Sequence, residues 1–507
     1  TADGEESASG YTLDTVQVTA SSAAGGVKGR QTVDKNTVVD MKDVLSQQPG
    51  VHVSGGNGAS QMFSIRGLGE NHLTFTVDNA GQSSQVFHHQ GRFMFDPALL
   101  KSIEVEKGAG AASAGIGATA SSIVAKTVSA SDLLQEGQNI GGKISAGYYT
   151  NKGEQLGLSA FGKYGAFDGI IVTDFINRKD YKGGHGYHNL LGNDKVLNSG
   201  LKQRGYLGKI GVDITPEQRL DLSFRQERDS GVRALREEFD FSQDNNEANN
   251  APRYRIYTQD TTRLAYTGRG LGPVDKIETD VYRMSAEMKN FPRAGSGTLL
   301  LGASEVETQG ANINLDSYLF NEHILKYGVN LRRQEAKPGS RLSTDGTAID
   351  TVNERKTDYG VYAEGIWNLH PVTLTTGLRY DHFKMRTSGR SEVSDGQINP
   401  SIAAIYDLNE QVSFNAGLSY ATRSPRLYEA MLAGGRRVIA DNNLEAERAR
   451  TLEAGVTYTP SQALRLPPPC STRTPGTTRT TSASTRPARP ARVARLPRTI
   501  ASSTAAR

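Results

Sequence analysis

Between about residue 142 and residue 466, apolar and polar residues alternate with a period of two, in runs of about eight to twelve residues. Leu220, Leu222 and Phe224 alternate with Asp221, Ser223 and Arg225. In "VTLTTGLRYD", Val372, Leu374, Thr376, Leu378 and Tyr380 oppose Thr373, Thr375, Gly377, Arg379 and Asp381. "VSFNAGLSYATR" and "RTLEAGVTYTP" repeat the theme. Successive side chains of a strand point to opposite faces, so such runs set one face in an apolar medium and the other in water. The connections sort by length. Short turns ("GAFDG", "TPEQ", "NLHP", "LNEQ") alternate with long polar stretches at roughly 179–203, 228–276, 337–356 and 423–448. Short turns at one end and long loops at the other predict an all-β transmembrane barrel of the outer-membrane kind, with about fourteen strands in this span. Tyr148, Tyr149, Tyr359, Tyr380, Tyr420 and Tyr458 are candidates for its interfacial aromatic girdles.

Residues 1–141 break the pattern. A polar start and one alternating stretch, "DTVQVTA", precede shorter mixed elements rich in Gly and Ala, which predict an α+β unit of a size to fill a barrel lumen. The other end changes too. Residues 467–507 contain eight Arg and seven Pro, no acidic residue, no Lys and no aromatic. We read this stretch as an aberrant, disordered basic tail, expected from a shifted reading frame in GC-rich coding sequence, which leaves an incomplete barrel of about 14 strands where about 22 close a plugged transporter. The expected organisation is therefore an N-terminal segment (1–30), a unit sized to plug the lumen (31–141), a partial barrel (142–466) and the tail (467–507).

Charge and composition narrow the function. The net charge of +4 comes from the tail; the rest of the chain carries 50 basic and 54 acidic residues, which removes the argument for a nucleic-acid partner. The single cysteine, Cys470, lies in the tail, as suits an exported protein held together without disulfides. The chain starts with Thr and carries no basic-then-apolar leader, as expected of a mature exported chain. No run of eighteen apolar residues, no phosphate-binding G-x-x-x-x-G-K-[ST] loop and no H-E-x-x-H occurs, and no enzyme is expected.

An ordered set of motifs resembles the TonB-dependent outer-membrane receptors. "DTVQVTA" (Asp14, Thr15, Val16, Gln17, Val18, Thr19, Ala20) looks like their TonB box. "DVLSQQPGV" (43–51), "FSIRGLGENHLTFTVDN" (63–79) and "LLKSIEVEKGAGAASAGIGA" (99–118) resemble their plug in the right order. The chain departs from the family at Asp78-Asn79, where Asp-Gly is usual, and at Ser121-Ser122, where a Gly-Gly turn is usual. The resemblance implies an outer-membrane receptor that binds an extracellular iron complex, haem or a ferric siderophore, and imports it with energy from TonB. It implies no permanent cofactor. An extended alternating segment can add to a partner's sheet edge, so the box fits a pulled strand whose register Val16 and Val18 set. A binding or adhesion barrel that moves nothing is the alternative.

The cargo is addressed by narrower features. "YATRSPRLYEAM" (420–431) and "DNNLEAERARTLEAGV" (441–456) resemble degenerate FRAP and NPNL boxes of haem receptors, and "TVSASDLLQEGQ" (127–138) their plug-to-barrel junction. In "QVFHHQGRFMFDP", His88 and His89 precede a Phe95-Asp96-Pro97 run. The resemblance makes His89, seven residues before Asp96, the candidate axial ligand of haem iron, a role that neutral imidazole suits. The second haem histidine of the subfamily has no counterpart in 426–442, where Tyr428 and Met431 are the possible substitutes. Arg436 and Arg437 are candidates for haem propionates or an anionic siderophore. His185 and His188, in "GGHGYHN", supply two imidazoles where a metal centre needs three or four ligands.

Overall fold

The computed structural model describes residues 15–22, 29–35, 38, 40–56, 58–82, 85–87, 89–108, 111–119, 121–234, 236, 252–291, 302–338, 341–342, 348–349, 353–386, 392–427 and 443–458. The N-terminal domain runs through β1 (Thr15–Ser22), β2 (Gly29–Asp34), α1 (Met41–Leu45), β3 (Val51–Ser54), β4 (Met62–Ile65) and β5 (Leu68–Gly69). It continues with β6 (Leu73–Val77), β7 (Ala80–Gly81), β8 (Leu100–Lys107), β9 (Ser121–Thr127) and α2 (Ala130–Leu133). Six strands form one mixed sheet in the order β2-β1-β8-β9-β6-β7, and β3-β4-β5 form a small second sheet.

Local chemistry sets these elements. Asp40 is extended, and its carboxylate accepts the Asp43 amide at 3.3 Å, which starts α1 and turns Met41, Val44 and Leu45 inward. Four rings centre the core: Phe75 stacks on Phe93 at 5.1 Å, Phe93 on Phe95 at 5.4 Å, and Phe63 meets Phe75 edge-on at 6.1 Å. The β6–β7 turn explains one departure. Asp78 and Asn79 sit at φ 48° and 66°, a tight hairpin geometry that Asp and Asn tolerate better than other side chains, so glycine is dispensable there. At Ser121-Ser122 the departure from Gly-Gly goes with a strand in place of a turn. Both serines are buried at the start of β9, and the Ser121 hydroxyl accepts the Gly108 amide at 3.2 Å.

The second domain is a 14-stranded sheet in which every strand pairs antiparallel with its neighbour in sequence. Its first nine strands are β10 (Ile140–Tyr149), β11 (Gly153–Tyr164), β12 (Phe167–Arg178), β13 (Leu201–Thr215), β14 (Gln218–Arg233), β15 (Arg253–Leu271), β16 (Val274–Phe291), β17 (Gly302–Leu319) and β18 (His323–Lys337). A small hairpin, β19 (Arg341–Leu342) and β20 (Ala348–Ile349), lies in the next long connection. The wall continues with β21 (Glu354–Leu369), β22 (Val372–Arg386), β23 (Glu392–Asp407), β24 (Val412–Arg423) and β25 (Glu447–Tyr458). Among the described residues, β10 pairs only with β11 and β25 only with β24. The tail at 467–507 lies outside the described residues.

The wall inverts the pattern of a water-soluble protein. Ile144, Ile171, Ile210, Ile398 and Leu452 point outward and are 61–78% exposed, while Asp174, Arg225, Glu227, Gln259 and Glu364 face the N-terminal domain and are buried. No helix among the described residues is long and apolar enough to cross a membrane, whereas strands of 10 to 19 residues are long enough to do so. Two expectations need correction. The span 228–276 is not one loop: β14 continues to Arg233 and β15 fills Arg253–Leu271. On β15 the lumen side buries Arg255, Gln259 and Thr261 beside Tyr257, while Thr258, Asp260 and Thr262 interrupt the opposite, outward face, so the apolar alternation is broken in its sequence. Tyr149 is not an outward girdle residue, because neighbours Tyr148 and Tyr149 take opposite faces. Tyr148 is exposed, and the Tyr149 hydroxyl donates to Gln155 Oε1 at 2.5 Å, beside lumen-facing Asp174.

Candidate ligand site and coupling strand

The segment 85–96 follows β7 and is fastened to the wall at several points, Gln90 among them. Gln90 Nε2 donates to Met288 Sδ at 3.1 Å, its Oε1 accepts the Val86 amide at 3.2 Å, and its carbonyl accepts Gln85 Nε2 at 2.8 Å. Gly91 follows because nothing larger fits: a Cβ there would lie 1.8 Å from the Gln61 carbonyl oxygen. Val86 and Met94 pack with Tyr257, Met288, Val306 and Ala336, all near the strand ends that lead into the long connections. His89 is thereby held at that end of the lumen, half-buried, with its ring 5.0 Å from Phe87.

The other sequence candidates distribute differently. His88, Tyr428, Met431, Arg436, Arg437 and Asp14 lie outside the described residues. His185 and His188 are exposed on the connection between β12 and β13. Among the described residues, no group of three His, Cys, Asp or Glu side chains could hold a metal.

Contacts that the sequence reading did not assign seat the N-terminal domain against the wall. Asp96 caps the short turn Pro97–Leu99 through the Ala98 amide (2.9 Å) and faces Asp174 of β12. Burial, then the charge of Asp174, pushes its carboxyl well above the usual range. Arg225 of β14 lies over the Phe95 ring at 4.3 Å and donates to Gln82 Oε1 at 2.6 Å. Glu364 of β21 accepts the Ser113 amide at 3.2 Å, and Arg66 pairs with Glu453 of β25. These partners lie up to 387 residues apart, so no local pattern announces them.

The box segment, apart from Asp14, falls in β1 and is paired on both sides. It is an inner strand of the six-stranded sheet, antiparallel to β2 (Val16 opposite Val33) and parallel to β8 (Gln17 opposite Ser102). The domain boundary expected at residue 30 therefore cuts the β1–β2 hairpin. Alternating Val16 and Val18 suit any sheet edge, and the domain's own β8 supplies one.

Comparisons with known proteins agree with this architecture. Residues 136–466 match the family model "TonB dependent receptor-like, beta-barrel", and residues 17–122 match "TonB-dependent Receptor Plug Domain". The chain is similar to the FrpB iron transporter from Neisseria meningitidis (F3-3 variant), with a TM-score of 0.78 and 40% identity over 84% of this chain and 68% of that one. It is 25% identical over 447 residues to the haem transporter BhuA of Brucella ovis, covering 86% of this chain and 64% of the relative. It is 26% identical over 367 residues to the hemin receptor of Yersinia pestis, covering 70% of this chain and 51% of that one. The chain thus spans under two thirds of the length of these curated relatives. With a lumen domain and a sequentially paired antiparallel wall that match the two models in order, the chain belongs to the TonB-dependent receptor family.

Proposed function

We propose that this receptor sits in the outer membrane, binds an extracellular iron complex in the lumen mouth, and imports it when TonB pulls on β1. The observation that carries the reading is the 85–96 segment, which is tied to the wall at the end bearing the long connections and holds His89 there. Haem is the preferred cargo, since His89 offers an imidazole for the iron and haem receptors are among the relatives. Ferric siderophore is the competing cargo. Work has to come from a partner, because the chain has no phosphate-binding loop. Six residue pairs on each side hold β1, so a pull on it loads the plug sheet through β8.

The test is iron-limited growth and uptake with haem and with several ferric siderophores as sole iron source. Val16→Pro removes a strand amide from β1 and is expected to reduce uptake to background with ligand binding as in the parent. Protease accessibility of the plug equal to the parent's then shows that coupling and not plug folding is lost. Uptake equal to the parent's would remove the coupling role from this segment and favour a barrel that binds without transporting. For the cargo, His89→Ala is expected to shift the Soret band of bound haem and to weaken binding, with His88→Ala doing less. A parent that binds no haem, or two variants that bind it like the parent, hands the cargo to the siderophores.

A further inference from the structure

At the same end of the lumen, five cations converge from both domains: Arg92 of the plug, Arg332 of β18, Lys356 of β21, Arg423 at the end of β24, and Arg426 just beyond it. Glu70, Asp358, Glu447 and, towards Arg332, Asp381 face them, and all four are already engaged, Asp381 by Arg379 at 2.8 Å. Glu70 accepts the amides of Phe63 (2.8 Å) and Arg92 (2.9 Å), and burial pushes its carboxyl up to about 7. Asp358 takes Arg332 at 3.0 Å and lies 3.9 Å from Lys356. Glu447 takes Arg423 Nη2 at 2.6 Å. Lys356 also donates to the Pro425 carbonyl (3.0 Å), and Arg426 Nη1 to Asn71 Oδ1. Donors are left over: Arg423 Nε and Nη1 and Arg92 Nε are shielded from solvent with no hydrogen-bond partner among the described residues. A buried guanidinium N–H without an acceptor is costly, and crowded like charges add to the cost. Burial, then Arg426 and Arg423, lowers Arg92 to about 9, and burial, then Arg423, lowers His72 beside it. The mouth stays open, since Glu447 is half-exposed and His72 a third exposed.

We propose that this plug–barrel seam is an oxyanion site that takes the carboxylates of the iron complex, with Arg423 and Arg92 donating to them. The inference rests on the import reading and narrows it to carboxylate-bearing cargo. Planar guanidinium forks match carboxylates, and each charge-assisted bond formed here would satisfy an N–H that is otherwise unmatched. Two sources share that chemistry, the propionates of haem and the carboxylates of a hydroxycarboxylate chelate such as ferric citrate.

The experiment titrates the detergent-solubilised receptor with haem, ferric citrate, citrate alone, inorganic phosphate and a neutral ferric hydroxamate. Arg423→Gln and Arg92→Gln are each expected to weaken the bound carboxylate probe about tenfold or more. Lys384→Gln, which removes a cation 58% exposed near the end of β22, is expected to leave it unchanged. Arg423→Lys, which keeps the charge, recovers part of the loss if the effect is local and not one of misfolding. Haem or ferric citrate, whichever binds, identifies the source. Binding that is identical in all variants, or seen only with phosphate or the hydroxamate, overturns the site. The import reading fails separately, if Val16→Pro leaves uptake untouched while the arginine variants still lose binding.

Discussion

Joining β1 to β8 covalently is expected to reduce iron uptake to the level of cells lacking TonB, with ligand binding unchanged. Thr19 and Glu104 are opposed in the parallel register, and adjacent strands lie about 4.8 Å apart, within reach of a short thiol crosslinker placed between Thr19→Cys and Glu104→Cys. The background is simple, since Cys470 is the single native cysteine and can be replaced by serine. The expectation follows from the position of β1. A partner sheet can add this strand only through backbone N–H and C=O groups that β2 and β8 now occupy, so one of those ladders has to open first. A reducible crosslinker should restore uptake on reduction, which separates a mechanical block from damage caused by the substitutions. Full uptake with the bridge demonstrably closed would mean that β1 need not leave β8, and would count against the proposed pull on this strand.

The same strand shows where sequence reasoning succeeds and where it stops. The wall was legible because lipid and lumen are different solvents. Leu378 and Tyr380 point one way and Arg379 and Asp381 the other, and the expected strand number matches the fourteen observed. β15 escaped because Thr258, Asp260 and Thr262 interrupt its outward face, so the apolar half of the alternation is missing there. For β1, alternation revealed a strand but could not say whose sheet would hold it. His89 could be placed at the lumen mouth from motif order alone, yet Gln90, which fixes that segment by reaching Met288 across 198 residues, carried no local signal. Nor did the facing pairs Asp96–Asp174 and Arg92–Arg423. Charges that meet across a domain boundary leave no period in the chain.

Asp78 is one such residue, and its removal should unseat the plug. Its carboxylate accepts the Thr127 amide at 3.0 Å and the Thr127 hydroxyl at 2.5 Å, and lies 3.8 Å from Lys209 Nζ of β13. Lys209 Nζ in turn donates to the Thr127 carbonyl (3.3 Å) and Ser129 Oγ (3.1 Å), so one carboxylate ties the β6–β7 turn, the end of β9 and the barrel wall together. Burial alone would raise the Asp78 pKa, but Lys209, Arg263 and the two Thr127 bonds outweigh it and hold it at about 2. Asp78→Asn suits the left-handed backbone at φ 48° and removes only the charge, which isolates the ionic part. Leaving Lys209 as a buried cation without its counter-ion should cost about 3–5 kcal/mol, and Asp78→Ala should lose somewhat more through the turn. The acid profile provides a second readout. The folded pKa lies below the unfolded value of about 3.9, so the stabilisation is complete above about pH 4, is lost as the pH falls towards 2, and amounts to about 2–3 kcal/mol. Thermal unfolding and protease accessibility of the plug, followed from pH 7 to pH 2, should show the parent weakening in that window and Asp78→Asn already weak at neutral pH, with a flatter profile. A variant with the parent's midpoint and the parent's acid profile would mean that Lys209 is satisfied by the Thr127 carbonyl and Ser129 hydroxyl alone, and that the seating of the plug rests on contacts such as Ser113 with Glu364 and Arg66 with Glu453.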